Sequence, residues 1–159
     1  MAPSAPARET IRDRVITILQ AIVTGDNYFY TPYEVTQRFI HWKEANGFPI
    51  YMVTPDSGGF YKTLSNHMID AKFYLSIKGI VEENVDDPGT ALFRAHTDIQ
   101  KAINYDSHSG GSGSFLELGV IVSFEEPPIT DNGYLATEGG FGFFDQRVGF
   151  QLITSFGAL

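Results

Sequence analysis

Apolar positions near the start of the chain recur at helical spacing and predict one amphipathic helix over residues 8–24. The residues with this spacing are Ile11, Val15, Ile18, Leu19 and Ile22. Gly25 follows directly and is a suitable helix-ending residue. Because only one face of the predicted helix is apolar, we expect it to lie on a sheet.

The next segment carries two conflicting patterns. Residues 28–30 are an aromatic run typical of a short strand. The spacing of Thr31, Pro32 and Glu34 resembles a capping box and favours a helix. The alternation through 35–39 favours a strand instead. Both interpretations of 32–46 stay open, and we favour the strand, followed by a loop at 43–47.

Two stronger strand signals follow. Residues 48–54 predict a strand that ends at the proline- and glycine-rich break 55–59. Residues 68–82 predict the longest strand, and Gly79 falls on its inward row, which indicates a bulge. The apolar residues on that row are Phe73, Leu75, Ile77 and Val81.

A second amphipathic helix is predicted to start at Asp86-Asp87-Pro88 and to end near Asn104. Its apolar face consists of Leu92, Ala95, Ile99, Ala102 and Ile103. The glycine- and serine-rich stretch 106–114 is typical of a flexible loop.

The last part of the chain predicts three strand segments, at 115–124, 134–137 and 141–154. The first of them has Leu116, Leu118, Val120 and Val122 on one row. Pro127-Pro128 stops that strand, and 130–133 predicts a turn. The final strand alternates Val148, Phe150 and Leu152 with Arg147, Gly149 and Gln151.

This order predicts an α+β fold: a mostly antiparallel sheet with two main helices packed on one face. We expect a flexible N-terminal arm at 1–7 and a single domain at 8–159. The alternative is a split β-α-β sandwich with a different strand order.

Composition narrows the function classes. The chain has 159 residues, a formal net charge of −8 and no Cys. Disulfides and thiolate metal sites are therefore excluded, and a basic stripe for nucleic acid is not expected. No apolar run is long enough for a membrane helix, and the first residues do not resemble a signal peptide, so we expect the cytoplasm as the site of synthesis.

Candidate chemistry is sparse, and we expect no catalytic, metal or cofactor site. The four histidines lack the spacing of metal ligands. The acidic pairs at 82–83, 86–87 and 125–126 lie at predicted element ends, where a structural role is favoured. Two alternatives are a small hydrolase using His67, Asp70 or Glu82, and a ligand-binding module lined by Tyr28, Phe29 and Tyr30.

Aromatic residues are the candidates for an assembly interface. Phe141, Phe143 and Phe144 cannot all point to one side of a strand, so they either insert into a neighbouring protein or cover the domain's own core. Phe60 and Tyr61 complete this candidate set.

The order of elements and several short strings together resemble the tail terminator, or tail completion, proteins of long-tailed bacteriophages. The resemblance covers residues 11–154. Its strings are Phe48-Pro49 opening an apolar strand, the Asp86-Asp87-Pro88 helix start, and Thr130-Asp131-Asn132-Gly133 before the final strand. The Thr31-Pro32-Tyr33-Glu34 box departs from the family pattern.

The resemblance implies a ring, usually a homohexamer, that caps the tail tube in the virion, ends its polymerisation and presents a surface to the head-tail connector protein. DNA would pass through the ring without specific binding, and acidic charge is compatible with such a channel. The segments 106–114 and 127–144 would carry contacts to the ring and to the tail tube protein. A head-tail connector or another minor tail or neck protein is the alternative in the same class.

Overall fold

The computed structural model describes residues 6–25, 27–109, 111–125 and 135–155, with the main chain alone for 135–138. Within these residues the chain forms two α-helices, six β-strands and one short 3-10 helix. In chain order they are α1 (Ala7–Gln20), β1 (Glu34–Thr36), the 3-10 helix (Trp42–Glu44), β2 (Ile50–Ser65), β3 (Met68–Glu82), α2 (Thr90–His108), β4 (Ile121–Glu125), β5 (Leu135–Glu138) and β6 (Phe141–Ser155).

The strands form one sheet in the order β1-β2-β3-β6-β4, and β5 pairs with β6 on the same side as β4. Among the described strands, only the β1–β2 pair is parallel, and the other pairs are antiparallel. Strand β6 lies between β3 and β4 and runs antiparallel to both, so β3, α2 and β4 make a split β-α-β unit. The predicted α+β class is confirmed, and it includes this crossover from the alternative topology.

Both helices pack on the same face of the sheet, as predicted. Their apolar sides meet the odd-numbered residues of β3, which point toward the helices because strand side chains alternate. The buried core contains Ile11, Val15, Leu19, Phe73, Leu75, Ile77, Ala95, Ile99, Ile103, Val148 and Phe150, among others. We call this side of the sheet the helix face and the other side the open face.

Gly79 does not mark a bulge, which corrects the sequence interpretation. It pairs in regular register with Tyr51 on one side and Phe144 on the other. A Cβ atom at Gly79 would lie 2.0 Å from Cζ of Phe144. The absent side chain therefore provides the space that the Phe144 ring fills.

Part of the open face is covered by a second, smaller apolar cluster. Ile40, Ile50, Met52 and Ile80 are buried there, with Trp42 and Phe48 packed on them. The Thr31–Glu34 box does not start a helix, because Glu34 begins β1, so the strand interpretation of this segment is confirmed over three residues. The loop predicted at 43–47 overlaps the 3-10 helix.

Helix α1 ends at Gln20 rather than at residue 24, and it begins at Ala7, inside the predicted arm. Beyond it, the N–H of Thr24 donates to Oγ1 of Thr31 at 2.8 Å, and Gly25 turns the chain with a φ of +100°. Thr24 therefore belongs to this turn and not to the helix. Residues 1–5 lie outside the described part.

The strand predicted at 28–30 is wrong. Tyr28 makes one isolated bridge to Thr24, and the N–H groups of the next two residues do not pair with a strand. Phe29 and Tyr30 both donate to the carboxylate of Asp98 on α2, at 2.9 and 3.0 Å. A distant buried acid therefore fixes this segment.

The predicted break at 55–59 is also wrong, because β2 continues through it to Ser65. A β-bulge lies between Asp56 and Phe60, and Gly58 and Gly59 take up positive φ angles in it. A bulge absorbs extra residues without ending the strand, so glycines that predict a break here produce a local kink. Strand β2, with 16 residues, is one residue longer than β3.

Helix α2 starts later and ends later than predicted. Gly89 precedes its first residue, Thr90, and the cap comes from Glu83, whose carboxylate accepts from the N–H of Leu92 at 2.6 Å. Glu83 is buried, so it lies in the protein interior and not in solvent. At the other end the helix runs to His108, into the predicted 106–114 loop.

The strand predicted at 115–124 begins only at Ile121. Residues 115–119 form a turn in which the N–H of Val120 donates to the carbonyl of Phe115 at 2.9 Å. Leu116 and Leu118 are consequently exposed instead of sharing a buried row. The later predicted strands agree with β5 and β6 to within one residue at each end. The Pro127-Pro128 stop and the 130–133 turn lie outside the described residues.

Candidate assembly surface

The three phenylalanines at the start of β6 lie on two faces of the sheet. Phe144 points to the helix face, is only 3% exposed and packs near Tyr51. Phe141 and Phe143 point to the open face and pack on the smaller apolar cluster. The ring of Phe141 lies 5.0 Å from those of Trp42 and Phe48. All three residues therefore contact their own domain, and Phe144 has almost no surface left for a partner.

Phe60 and Tyr61 lie on a different part of the molecule, the hairpin tip, which we define as residues 57–68. Every residue of the hairpin tip is exposed. Phe60 is 42% exposed on the open face, and Tyr61 is 56% exposed on the helix face, where the Arg8 guanidinium lies 5.0 Å from its ring. Two large aromatic side chains thus remain accessible at the far end of the sheet.

The outer side of β2 is an open edge over most of its length. Strand β1 pairs only with Ile50–Met52, and no other described strand lies along β2 on that side. Pro55 lacks an N–H, and the bulge that follows interrupts the regular backbone, so pairing is hindered up to residue 59. Regular register resumes over 60–63, where the edge is available for a further strand.

The opposite edge of the sheet is formed by β4, and no described strand covers its outer side either. Ile121 begins β4 and is 67% exposed. The pairings of Phe60 with Lys72, Lys72 with Gln151, and Gln151 with Ile121 place all four in one cross-strand row. Exposed apolar side chains therefore stand at both ends of the same row.

Further exposed apolar residues surround these two positions. Those at the hairpin tip and beside the β4 edge are Leu64, Met68, Leu116, Leu118 and Ile153. None of them is among the interface candidates predicted from the sequence. Ile153 could have been identified from the sequence. It falls on the polar row of β6, where an apolar residue does not contribute to the domain's own core and indicates an interface.

A charge network occupies the open face between the two edges. Lys72 Nζ donates to Glu125 at 2.7 Å, and Arg147 lies 3.2 Å from the Asp56 carboxylate and 3.7 Å from the Tyr74 ring centre. The Lys72 hydrogen bond lowers the pKa of Glu125, and the same bond raises the pKa of Lys72. These pairs connect β2, β3, β6 and β4, so they hold the two edges in fixed relation.

The residues of the hydrolase alternative are not brought together. His67 lies in the turn of the hairpin tip, and Asp70 accepts from Nε2 of Gln151 at 3.0 Å. Glu82 lies at the other end of β3, about 40 Å from Asp70 at roughly 3.3 Å per residue. No group of three metal-binding side chains occurs in the part of the chain that the structure describes.

The histidine nearest to the core, His96, has a structural environment. Its Nε2 lies 2.6 Å from Oε1 of Gln146, and its ring packs edge-on to Phe144. Burial lowers its pKa, which favours the neutral ring. His96 thus belongs to the packing between α2 and β6.

Of the aromatic run in the ligand-binding alternative, Tyr28 lines an open groove and not an enclosed cavity. Tyr28 borders an open groove of about 270 Å³ between α1 and α2, together with Arg14 and Tyr105. Burial, followed by the charge of Asp98, raises the pKa of Tyr28. The adjacent Phe29 ring is flanked by Arg94 and Lys101, at 5.1 and 5.4 Å from its centre.

Among the residues described, no helix combines the length and apolar character needed to cross a membrane. The sequence matches no protein-family model and no curated protein significantly.

Proposed function

We propose that this protein is a structural subunit of a bacteriophage tail, a tail terminator that forms a ring on the end of the tail tube in the virion. The observation that carries the proposal is the pair of open sheet edges, each with exposed apolar side chains. A ring built by head-to-tail contacts needs two different surfaces on opposite sides of one subunit. The hairpin tip and the β4 edge meet this requirement.

The resemblance of the sequence to tail terminators supplies the biological setting. In that setting the ring ends tube polymerisation and offers its other side to the head-tail connector. The formal charge of −8 is compatible with a channel that lets DNA pass without binding. A connector or other neck protein would use the same edges, and it would differ in which neighbour it binds.

Oligomeric state tests the ring directly. Size-exclusion chromatography with light scattering is expected to show a discrete species of about six copies, and negative-stain images are expected to show rings. The variant Phe60→Asp should weaken association about tenfold, because it replaces an exposed aromatic side chain of the hairpin tip with a charge. Phe93→Asp is the matched control, since Phe93 is exposed on α2, away from both edges.

A second assay tests the terminator role. Added to purified tail tube protein, the ring is expected to stop tube growth and to appear at one end of each tube. A protein that stays monomeric at all concentrations and forms no ring with tubes would refute the proposal. A ring that binds connector but leaves tube growth unchanged would favour the connector alternative.

A further inference from the structure

We propose, on the basis of the proposed ring, that the hairpin tip of one copy pairs with β4 of the next copy as an additional antiparallel strand. The occupant of each edge is thus a second copy of this chain. The ring would then be closed by main-chain hydrogen bonds between residues 60–63 and 122–125.

The strand directions determine that the contact is antiparallel. Within the sheet, β2 runs antiparallel to β3, β3 to β6, and β6 to β4, so β2 and β4 of one chain point in opposite directions. A neighbour added edge to edge in the same orientation keeps this relation. Its β2 therefore lies antiparallel to β4, the geometry in which N–H and C=O groups of two edges pair directly.

The two free segments also match in length. The regular part of the β2 edge covers residues 60–63, and β4 has five residues. Pro55 and the bulge exclude the rest of β2 from regular pairing. Only the hairpin tip can therefore serve as the added strand.

Full overlap of residues 60–63 with the five residues of β4 allows two registers, and side-chain alternation selects the one with Lys62 opposite Ser123. Both residues lie on the open face of their own sheets, as their pairings with Asp70 and Gly149 show. This register sets Tyr61 beside Phe124 and Thr63 beside Val122, all on the helix face. A shift by one residue would turn each side chain to the wrong face.

The charged side chains of the two edges are complementary in the same register. Lys62 forms no ion pair with the described residues of its own chain. In the proposed contact it lies diagonally next to Glu125, a distance that a lysine side chain can span. An unpaired cation at one edge thus comes close to the Glu125 carboxylate at the other, which also accepts from Lys72 of its own chain.

The register is also compatible with a closed ring. Across the sheet of one chain, Lys62 lies in the same cross-strand row as Ile153 of β6, and Ser123 lies in the same row as Gly149. These two rows are four residues apart along β6. Each contact therefore shifts the next copy along the strand direction by about four residues, roughly 13 Å. Four strands per copy span about 19 Å across the sheet. The resulting tilt of roughly 35° is within the range found for closed sheets.

Cysteine cross-linking provides the test, because the chain has no Cys of its own. The variant is Lys62→Cys combined with Ser123→Cys. Within one chain these positions lie on the two outermost of four adjacent strands, about 14 Å apart or more, too far for a disulfide. Mild oxidation is expected to give a ladder of covalent oligomers that ends at the copy number of the ring.

Two controls accompany this variant. Lys62→Cys with Asn104→Cys keeps the first position and moves the second to the exposed side of α2, and it should give no ladder. Lys62→Cys alone should stay uncross-linked. Circular dichroism under reducing conditions checks that each variant is folded.

The outcomes separate this inference from the proposed function. Rings in light scattering without a ladder would overturn the edge pairing and leave the ring proposal standing. Covalent dimers from Lys62→Cys alone would show tip-to-tip pairing and overturn it as well. A monomer with no ladder would refute both.

Discussion

Gly79 shows how one missing side chain determines the packing of a sheet. The ring of Phe144 occupies the space where a Cβ at Gly79 would lie, only 2.0 Å from Cζ. Tyr51 pairs with Gly79 from the other strand and is fully buried, so the ring has little room to move. The close approach of these three residues connects β2, β3 and β6 beneath α2.

We therefore expect Gly79→Ala to destabilise the domain by about 2 kcal/mol, the cost of overpacking a core. Urea denaturation monitored by circular dichroism measures it. Gly111→Ala is the control, because no atom lies within 4 Å of a Cβ there and its φ is not positive. Equal stability of the two variants would show that the Phe144 ring moves aside without cost.

The environment of Glu125 predicts how the stability of the fold changes at acid pH. Hydrogen bonding to Lys72 lowers its pKa in the folded state below the ordinary 4.5. A depressed pKa stabilises the fold above the unfolded value, and this contribution is lost as the pH falls through the folded pKa. Glu125→Gln should therefore remove part of the stability loss below about pH 4.5.

Denaturation midpoints measured between pH 7 and pH 3 test this expectation. The variant should be less stable than the parent at pH 7, and the difference should shrink toward pH 3. A difference that stays constant across this range would show that the Lys72 contact contributes nothing through ionisation.

At the scale of elements, Asp106 connects α1, α2 and the turn before β4. Its buried carboxylate pairs with the Arg14 guanidinium and accepts from the N–H of Phe115 at 2.9 Å. The contact raises the pKa of Arg14. Asp106 lies in the last turns of α2, which ends at His108, and so attaches this end of the helix to α1 and to the turn.

Asp106→Ala should cost about 3 kcal/mol, because it leaves a half-buried cation and a buried N–H without a partner. Asp13→Ala removes an exposed ion pair with Arg12 and should change stability by less than about 0.5 kcal/mol. Guanidinium denaturation compares the two. A small loss in both would contradict the connecting role of Asp106.

Central elements could be predicted from the sequence, whereas element ends could not. The alternation over 68–82 and 141–154 reports burial on a sheet face, and it predicted β3 and β6 closely. Helix and strand ends depended on residues far along the chain. Asp98 accepts hydrogen bonds from the backbone of residues 29 and 30, and Glu83 caps α2. Neither interaction produces a local pattern in the sequence.

At the scale of the whole molecule, only one of the two edges of the assembly surface was identified from the sequence. Phe60 and Tyr61 were identified as aromatic residues near a glycine break. Ile121 was placed inside a longer predicted strand, where it fell on the row opposite the apolar one. That Phe60 and Ile121 end the same cross-strand row follows only from the strand order, which brings distant segments side by side.

The balance of charge and apolar surface leads to a prediction about salt. Each subunit carries a formal charge of −8, so neighbouring copies repel one another at low ionic strength. The proposed contact rests mainly on main-chain hydrogen bonds, which salt weakens little, with one ion-pair contact between Lys62 and Glu125. Because added salt screens the repulsion, association should strengthen between about 20 and 300 mM NaCl. Sedimentation velocity over this range of NaCl concentration measures it. Rings that dissociate as salt rises would show instead that ion pairs dominate the contact.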